Sequence, residues 1–315
     1  MNSFFAKILV ALSCASIPVA ALAADHPRPK ITGISHIAVY ASDPAQAKSF
    51  YAGVLGCSSR PDLEERTATR YSFNSHQWVE VLPLPSDAGI NRLDHIAFVT
   101  SNAEGMRQYL ASKGITVPPS ISTARDGFSE WFSVKDPEGN TVRFVQQRFV
   151  GAGIGTTIGH HIIHIGMLIH DRDASDRFYR EILGFRPYWH GGMQPDKTDW
   201  VALQVPDGTD WLEYMLTSGP SGSGIPATMN QHGLGVLNHF SLGVVSITAA
   251  ADAVHAKPGW DSFPHDKGPQ LGKDGKNQYN IYDADQTRVE FMEFAPVAKP
   301  CCSEFTGPHP SPTAE

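Results

Sequence analysis

The chain is poor in charge, in cysteine and in long apolar runs. Only 18% of its 315 residues are Asp, Glu, Lys or Arg, and no basic run or stripe appears. A nucleic-acid partner is thereby excluded, because its electrostatic footprint is missing. There are four cysteines, none in a C-x-x-C pair or a zinc-finger spacing, and none in a recognisable nucleophile context. Cys301 and Cys302 are neighbours in a Pro- and Ser-rich tail, and adjacent cysteines rarely bridge each other. No apolar run reaches the roughly 20 residues that span a bilayer. What remains is 41% hydrophobic residues and a net charge of -7. That composition is globular, and the length suggests two domains of ordinary size.

The first 24 residues read as an export signal. Lys7 gives a short positive region, Ile8 to Leu12 open an apolar stretch, and Ala21-Leu22-Ala23 has the small-residue form of a cleavage site. The expected location is periplasmic or secreted.

An internal repeat organises the rest. Ile34-Ser35-His36-Ile37-Ala38-Val39-Tyr40 matches Ile162-Ile163-His164-Ile165-Gly166-Met167-Leu168, and Ser49-Phe50-Tyr51 matches Arg177-Phe178-Tyr179. His36 and His164, Asp43 and Asp171, Tyr51 and Tyr179, and Gly56 and Gly184 are each 128 positions apart. Each copy reads as a buried strand, an Asp-capped helix with a stripe at helical spacing, and a stopping glycine. His95 and His239 open two further strands of the same kind. The spacing predicts an α+β chain of four βαβββ modules paired into two domains, at 31–148 and 161–296. A linker over 149–160 and a mobile tail over 297–315 complete the division.

The turn Asp136-Pro137-Glu138-Gly139-Asn140 before an apolar strand, with the weaker Asp283-Ala284-Asp285-Gln286-Thr287, carries a resemblance. With the His-led strands and Phe-Tyr helices, it is similar to the vicinal oxygen chelate superfamily of glyoxalases, bleomycin-resistance proteins and extradiol dioxygenases. The resemblance covers about residues 31 to 296 and implies two tandem glyoxalase-type domains. It speaks to fold more than to reaction, because the superfamily hosts isomerases, lyases, dioxygenases and pure binders.

In glyoxalase-like members an opening-strand histidine and a closing-strand glutamate from each of two modules hold one divalent metal. By that pattern the C-terminal domain is complete, with His164, Glu213, His239 and Glu290. The N-terminal domain offers His36, Glu80 and His95, but Arg143 stands in the fourth place, so its site reads as degenerate. Crosswise pairing of modules would instead join His36 and Glu80 to His239 and Glu290; within-domain pairing is the preferred expectation. Two imidazoles and carboxylates suit one ion of Zn, Ni, Mn or Fe(II) with positions left for substrate.

The first functional expectation is a metal-dependent isomerase or lyase on a small carbonyl or vicinal-oxygen compound. Glu213 or Glu290 would serve as its catalytic base. The alternative is an extradiol-type iron dioxygenase using His164, His239 and Glu290. Lys267-Gly268-Pro269 resembles that family, whereas Gln270 and Asn280 fall where its histidine and tyrosine are expected; His265 or His232 are substitutes for the missing acid/base. The third reading is a metal-free binder that stacks a flat ligand on Trp189, Trp200 and Trp211 with Tyr188 and Tyr214. The expected partner in each case is a small molecule, bound by a monomer or homodimer.

Overall fold

The computed structural model describes residues 26–87, 89, 91–147, 158–216 and 239–312. The expected export segment, most of the linker and His232 lie outside the described residues.

The first half contains β1 (Ile31–Ala41), α1 (Pro44–Lys48), β2 (Ser58–Pro61), β3 (Thr69–Ser72), β4 (Trp78–Pro83), β5 (Leu93–Thr100), α2 (Ala103–Ser112), β6 (Ser122–Thr123), β7 (Glu130–Lys135) and β8 (Thr141–Gln146). The second half repeats the order with β9 (His161–Ile169), α3 (Arg172–Asp176), β10 (Arg186–Gly191), β11 (Trp200–Gln204), β12 (Trp211–Leu216), β13 (His239–Val244), α4 (Ile247–His255), β14 (Gln270–Leu271), β15 (Asn277–Tyr282) and β16 (Arg288–Glu293). Each half forms one eight-stranded mixed sheet, ordered β2-β3-β4-β1-β5-β8-β7-β6 and β10-β11-β12-β9-β13-β16-β15-β14. Two βαβββ modules therefore meet within each sheet along an antiparallel seam, β1 against β5 and β9 against β13. The crosswise set of His36, Glu80, His239 and Glu290 is not formed.

Local chemistry sets each module. Asp43, Asn102, Asp171 and Ser246 cap their helices through side-chain oxygens, worth about 1 kcal/mol each. After α1 and α3 the helix widens by one residue per turn. Leu55 N–H reaches the Phe50 carbonyl and Leu183 N–H that of Phe178, both at 3.0 Å. The widening places Phe50 and Tyr51, and likewise Phe178 and Tyr179, wholly inside the core. Gly56 and Gly184 then turn the chain at φ 78° and 81°, where any side chain would be strained.

The same helices lock the halves together. Tyr51 donates to Asp283 and Tyr179 donates to Asp136, each at 2.9 Å. Each repeat thus inserts its helical tyrosine into the turn of the opposite half. Burial pushes the Asp283 carboxyl up to about 7.

The tail departs from expectation. It was expected to be mobile, yet its described part lies along β10 and β11. Thr306 N–H bonds the Tyr188 carbonyl at 3.0 Å, Gln204 donates to the Pro308 carbonyl at 2.8 Å, and Phe305 packs on Tyr188. Proline costs the tail no hydrogen bonds here, because the sheet supplies donors and an aromatic seat. Cys301 and Cys302, neighbours of a kind that rarely bridge, are bonded to each other. Among the described residues no helix is long and apolar enough to cross a membrane.

Candidate metal centres

Strand alternation sorts side chains onto two faces. On β12, Leu212 and Tyr214 enter the core, while Trp211 and Glu213 take the concave face. Across the C-terminal sheet two rows run side by side. One is Trp211, His164, Ser241 and Glu290; the next is Glu213, Gly166, His239 and Arg288. The four expected ligands therefore adjoin in a chain, and of them His164, Glu213 and His239 offer ligand atoms all within 4.8 Å of one another. His164 Nε2 lies 3.0 Å from His239 Nε2 and 3.2 Å from a Glu290 oxygen, and His239 Nε2 lies 3.4 Å from a Glu213 oxygen. Gly166 makes this approach possible, since a Cβ there would sit 1.8 Å from the His239 ring. His164 is held by stacking on Trp211, with ring centres 4.5 Å apart.

Electrostatics distinguishes the two histidines and the acid. Burial, and then the Arg288 guanidinium, holds His239 well below the usual imidazole range. Burial pushes Glu290 up, but His164 beside it, then His239 and Arg288, outweigh it and hold the carboxyl below its ordinary value. Arg288 donates to His239 Nδ1 at 2.5 Å. Since arginine only donates, the imidazole proton then sits on Nε2, toward the cluster. A metal ligated through Nε2 requires that contact to be given up.

A cavity of about 250 Å³ opens on this cluster, with Trp189, Trp200, Glu213, Lys273, Arg288 and Glu290 in its wall. It combines two flat aromatic surfaces, three carboxylates (Glu213, Asp274 and Glu290) and two cations. Of the other residues singled out from sequence, Tyr214 belongs to the core behind the sheet. His265 is exposed and packs on Trp260, apart from the cluster.

Lys276 was missed by the sequence reading. Its amine is fully buried with no hydrogen-bond partner and lies over the rings of Trp211, Phe305 and Tyr188 at 4.5, 5.2 and 5.7 Å. Burial pushes it down to about 8, opposed by Asp274, Glu290 and Glu213. A lysine one residue before a strand gives no signal of such burial; Trp211 and Tyr188 of the sheet and Phe305 of the docked tail create it together.

The N-terminal half, read as degenerate, also brings its residues together. Its rows are Trp78, His36, Ala97 and Arg143, beside Glu80, Ala38, His95 and Thr141. His36 and His95 approach at 2.9 Å between Nε2 atoms, and Glu80 lies 3.6 and 3.9 Å from them. Arg143 does not fill the cluster as a free cation. It pairs with Glu64 at 2.7 Å and Glu65 at 3.1 Å and stacks over Trp131, while Arg70 pairs with Asp62. These acids come from the loop after β2, which sequence gave no reason to place here. Burial, then Asp62 and Glu64, push Glu80 up to about 9.

Comparison with known proteins follows this geometry. Residues 33–144 and 161–291 match the family model described as the glyoxalase/bleomycin resistance protein/dioxygenase superfamily. No curated sequence matches the chain. Among solved structures it is similar to the 2,3-dioxygenase LapB from Pseudomonas sp. KL28, at 14% identity and TM-score 0.62 over 91% of this chain and 96% of that one. It is similar to homoprotocatechuate 2,3-dioxygenase from Brevibacterium fuscum complexed with 3,4-dihydroxyphenylacetate, at 18% and 0.60 over 92% and 86%. It is also similar to a Mn(II)-bound glyoxalase from Novosphingobium aromaticivorans, at 15% and 0.63 over 91% and 90%. At these identities the likeness is one of fold.

Proposed function

The chain belongs to the glyoxalase/bleomycin resistance protein/dioxygenase superfamily, and from that premise we propose that its C-terminal half is a divalent-metal oxygenase of the extradiol type. The substrate class is a small aromatic compound carrying two neighbouring oxygens. One observation carries the reading: Glu290, in the wall of a cavity shared with Trp189 and Trp200, lies 3.2 Å from His164, which lies 3.0 Å from His239 behind that wall. Two imidazoles and one carboxylate on one side of an ion are the donor set of non-haem iron oxygenases. The resemblance to solved 2,3-dioxygenases supports the same choice.

His164, His239 and Glu290 would hold the ion. When bound, the ion supplies Lewis-acid and redox chemistry at substrate oxygens. The chain's own residues do the rest. Trp189 and Trp200 present flat faces that align an aromatic ring. Arg288 and Lys273 favour an anionic substrate and, on leaving His239, Arg288 frees Nδ1 to carry the imidazole proton. Glu213, on the cavity wall, accepts a proton from a substrate hydroxyl.

A second reading is favoured by one feature: Glu213 and Glu290 both line the cavity. Two carboxylates are the equipment for moving a proton between adjacent carbons, as in a glyoxalase-type isomerase or lyase. Oxygen separates the readings. Protein loaded anaerobically with Fe(II) is mixed with catechols and then with air-saturated buffer in an oxygen electrode. The oxygenase reading expects oxygen uptake matched to catechol consumed. Turnover of a carbonyl substrate at equal rate without oxygen, with no uptake on catechols, contradicts it and selects the isomerase.

A further inference from the structure

The N-terminal half has a cavity of its own, of about 250 Å³, which stops short of His36, Glu80 and His95. Its wall carries donors that have no acceptor. Arg60 and Arg70 stand directly opposite each other on β2 and β3, and both line it. Like charges so placed repel. The carboxylate nearest the pair serves Arg70 alone. Asp62 accepts from Arg70 Nε at 2.7 Å, while its other oxygen accepts from the Glu64 and Glu65 N–H groups. Among the described residues Arg60 pairs with no carboxylate, its Nε is buried without a hydrogen-bond partner, and the Arg70 terminal nitrogens are unbonded. Burial, and then the Arg70 charge, pull Arg60 below the usual guanidinium range.

Trp78 adds a third donor. It lines the same cavity, is only 4% exposed, and its indole N–H is buried with no acceptor. Buried donors are rarely left so. The His36 ring and the Arg70 guanidinium stack on Trp78 at 4.6 and 3.5 Å, so what it leaves to a ligand is the N–H edge. The acids in the wall are already engaged. Glu64 pairs with Arg143 at 2.7 Å, and Asp126 accepts from the Phe128 and Ser129 N–H groups and the Ser129 hydroxyl. Their charges restrict what can join them. A single negative charge is met by the uncommitted Arg60, whereas a dianion would be repelled by two carboxylates. Leu63, Ala124 and Val145 supply an apolar side, and the volume lies below that of a drug-sized site.

We propose that this cavity binds a small organic monocarboxylate, whose oxygens accept from Arg60, Arg70 and the Trp78 N–H and whose short apolar body lies against Leu63, Ala124 and Val145. A planar guanidinium fork matches a planar carboxylate, and such charge-assisted bonds are about twice as strong as neutral ones. No metal takes part, and the site does not depend on the reading of the C-terminal half.

The test titrates the full-length protein with sodium benzoate by calorimetry, at neutral pH and fixed ionic strength, with benzamide and inorganic phosphate as controls. Crystals soaked in 4-bromobenzoate then locate the ligand by bromine anomalous scattering. Benzoate is expected to bind where benzamide and phosphate do not, with a bromine peak in the cavity between Leu63 and Val145. Arg60→Met is expected to weaken benzoate roughly tenfold or more. Without ligand the same variant keeps its Tm, because the side chain removed has no partner and faces a like charge. Trp78→Phe keeps the ring and loses the N–H, and is expected to weaken benzoate roughly 3–10-fold. No bromine peak in this cavity, or a peak in the C-terminal cavity alone, overturns the proposal. So does benzamide binding as tightly as benzoate, phosphate binding more tightly, or Arg60→Met binding benzoate unchanged. Failure of the oxygenase reading would alter none of these results.

Discussion

In the N-terminal sheet the row Trp78, His36, Ala97 ends on Arg143; in the C-terminal sheet the matching row Trp211, His164, Ser241 ends on Glu290. The stacking of tryptophan on histidine is preserved in both, at 4.6 and 4.5 Å. Two differences of charge thus separate the constructions: Arg143 against Glu290 in this row and Thr141 against Arg288 in the next. Arg143 draws Glu64 and Glu65 onto it, and the cavity lined by Leu63, Glu64 and Trp78 stops short of His36, Glu80 and His95. Among the described residues no comparable loop pairs with Glu290, and a cavity reaches it. The lesson is that a cation in the fourth position does not abolish a ligand set; it decides whether that set is reachable by substrate.

The sharpest way to break this comparison is to remove one imidazole from each half. His239→Ala is expected to lower turnover by more than about a hundredfold, beyond the range of second-shell changes. His95→Ala is expected to show in Tm, with residual activity following the folded fraction. Thermal denaturation and steady-state rates on both variants read this directly; equal losses of rate at unchanged Tm would contradict the division of labour.

Arg143→Ala tests the other end of the row. It leaves Glu64 buried without its partner, so a loss of about 3–5 kcal/mol is expected from urea unfolding. A loss below about 1 kcal/mol would mean that Arg143 does not hold the loop.

The carboxylates come next. In the oxygenase reading Glu290→Gln removes a ligand and Glu213→Gln removes a base, so the first reduces both metal content and kcat, and the second reduces kcat at full metal content. Base removal is expected to cost roughly 10²–10⁴-fold. Loss of metal in Glu213→Gln with retention in Glu290→Gln would move the ligand set to His164, Glu213 and His239.

Much of this was legible in the amino-acid sequence. The 128-residue offset exposed the duplication, and alternation along Val289-Glu290-Phe291 placed that carboxylate opposite the core. The repeat also aligned Arg143 with Glu290 correctly. What failed were statements that depend on long-range packing. The acids that neutralise Arg143 lie 78 and 79 residues away, and no local pattern links them. The docking of the tail and the burial of Lys276 depend on Tyr188 and Trp211, more than 60 positions upstream of Lys276 in one-dimensional order. Sequence periodicity reports which face a residue occupies, not which loop covers that face.

Two smaller effects sharpen the picture outside the clusters. Phe305→Ala removes the tail's aromatic anchor, and about 2 kcal/mol of stability is expected, below the 3–5 of a fully buried phenylalanine. The interlocking turns supply a pH signature. Burial raises the folded-state pKa of Asp283 to about 7 from its ordinary value of 3.8, so the folded chain holds a proton there that the unfolded chain has released. Its contribution is fully present below about pH 4 and is lost as pH rises toward 7. Asp283→Asn should flatten that part of the Tm-against-pH curve; an unchanged slope would show that Asp283 is ionised in the fold.

The most direct test of the central claim is oxygen consumption by the Fe(II)-loaded protein with a catechol, run beside His239→Ala and Glu290→Gln under identical loading. The account predicts uptake equal to the catechol lost in the wild type and none above background in either variant. Equal uptake in all three proteins, or none in a wild type shown to carry iron between His164 and His239, would contradict it.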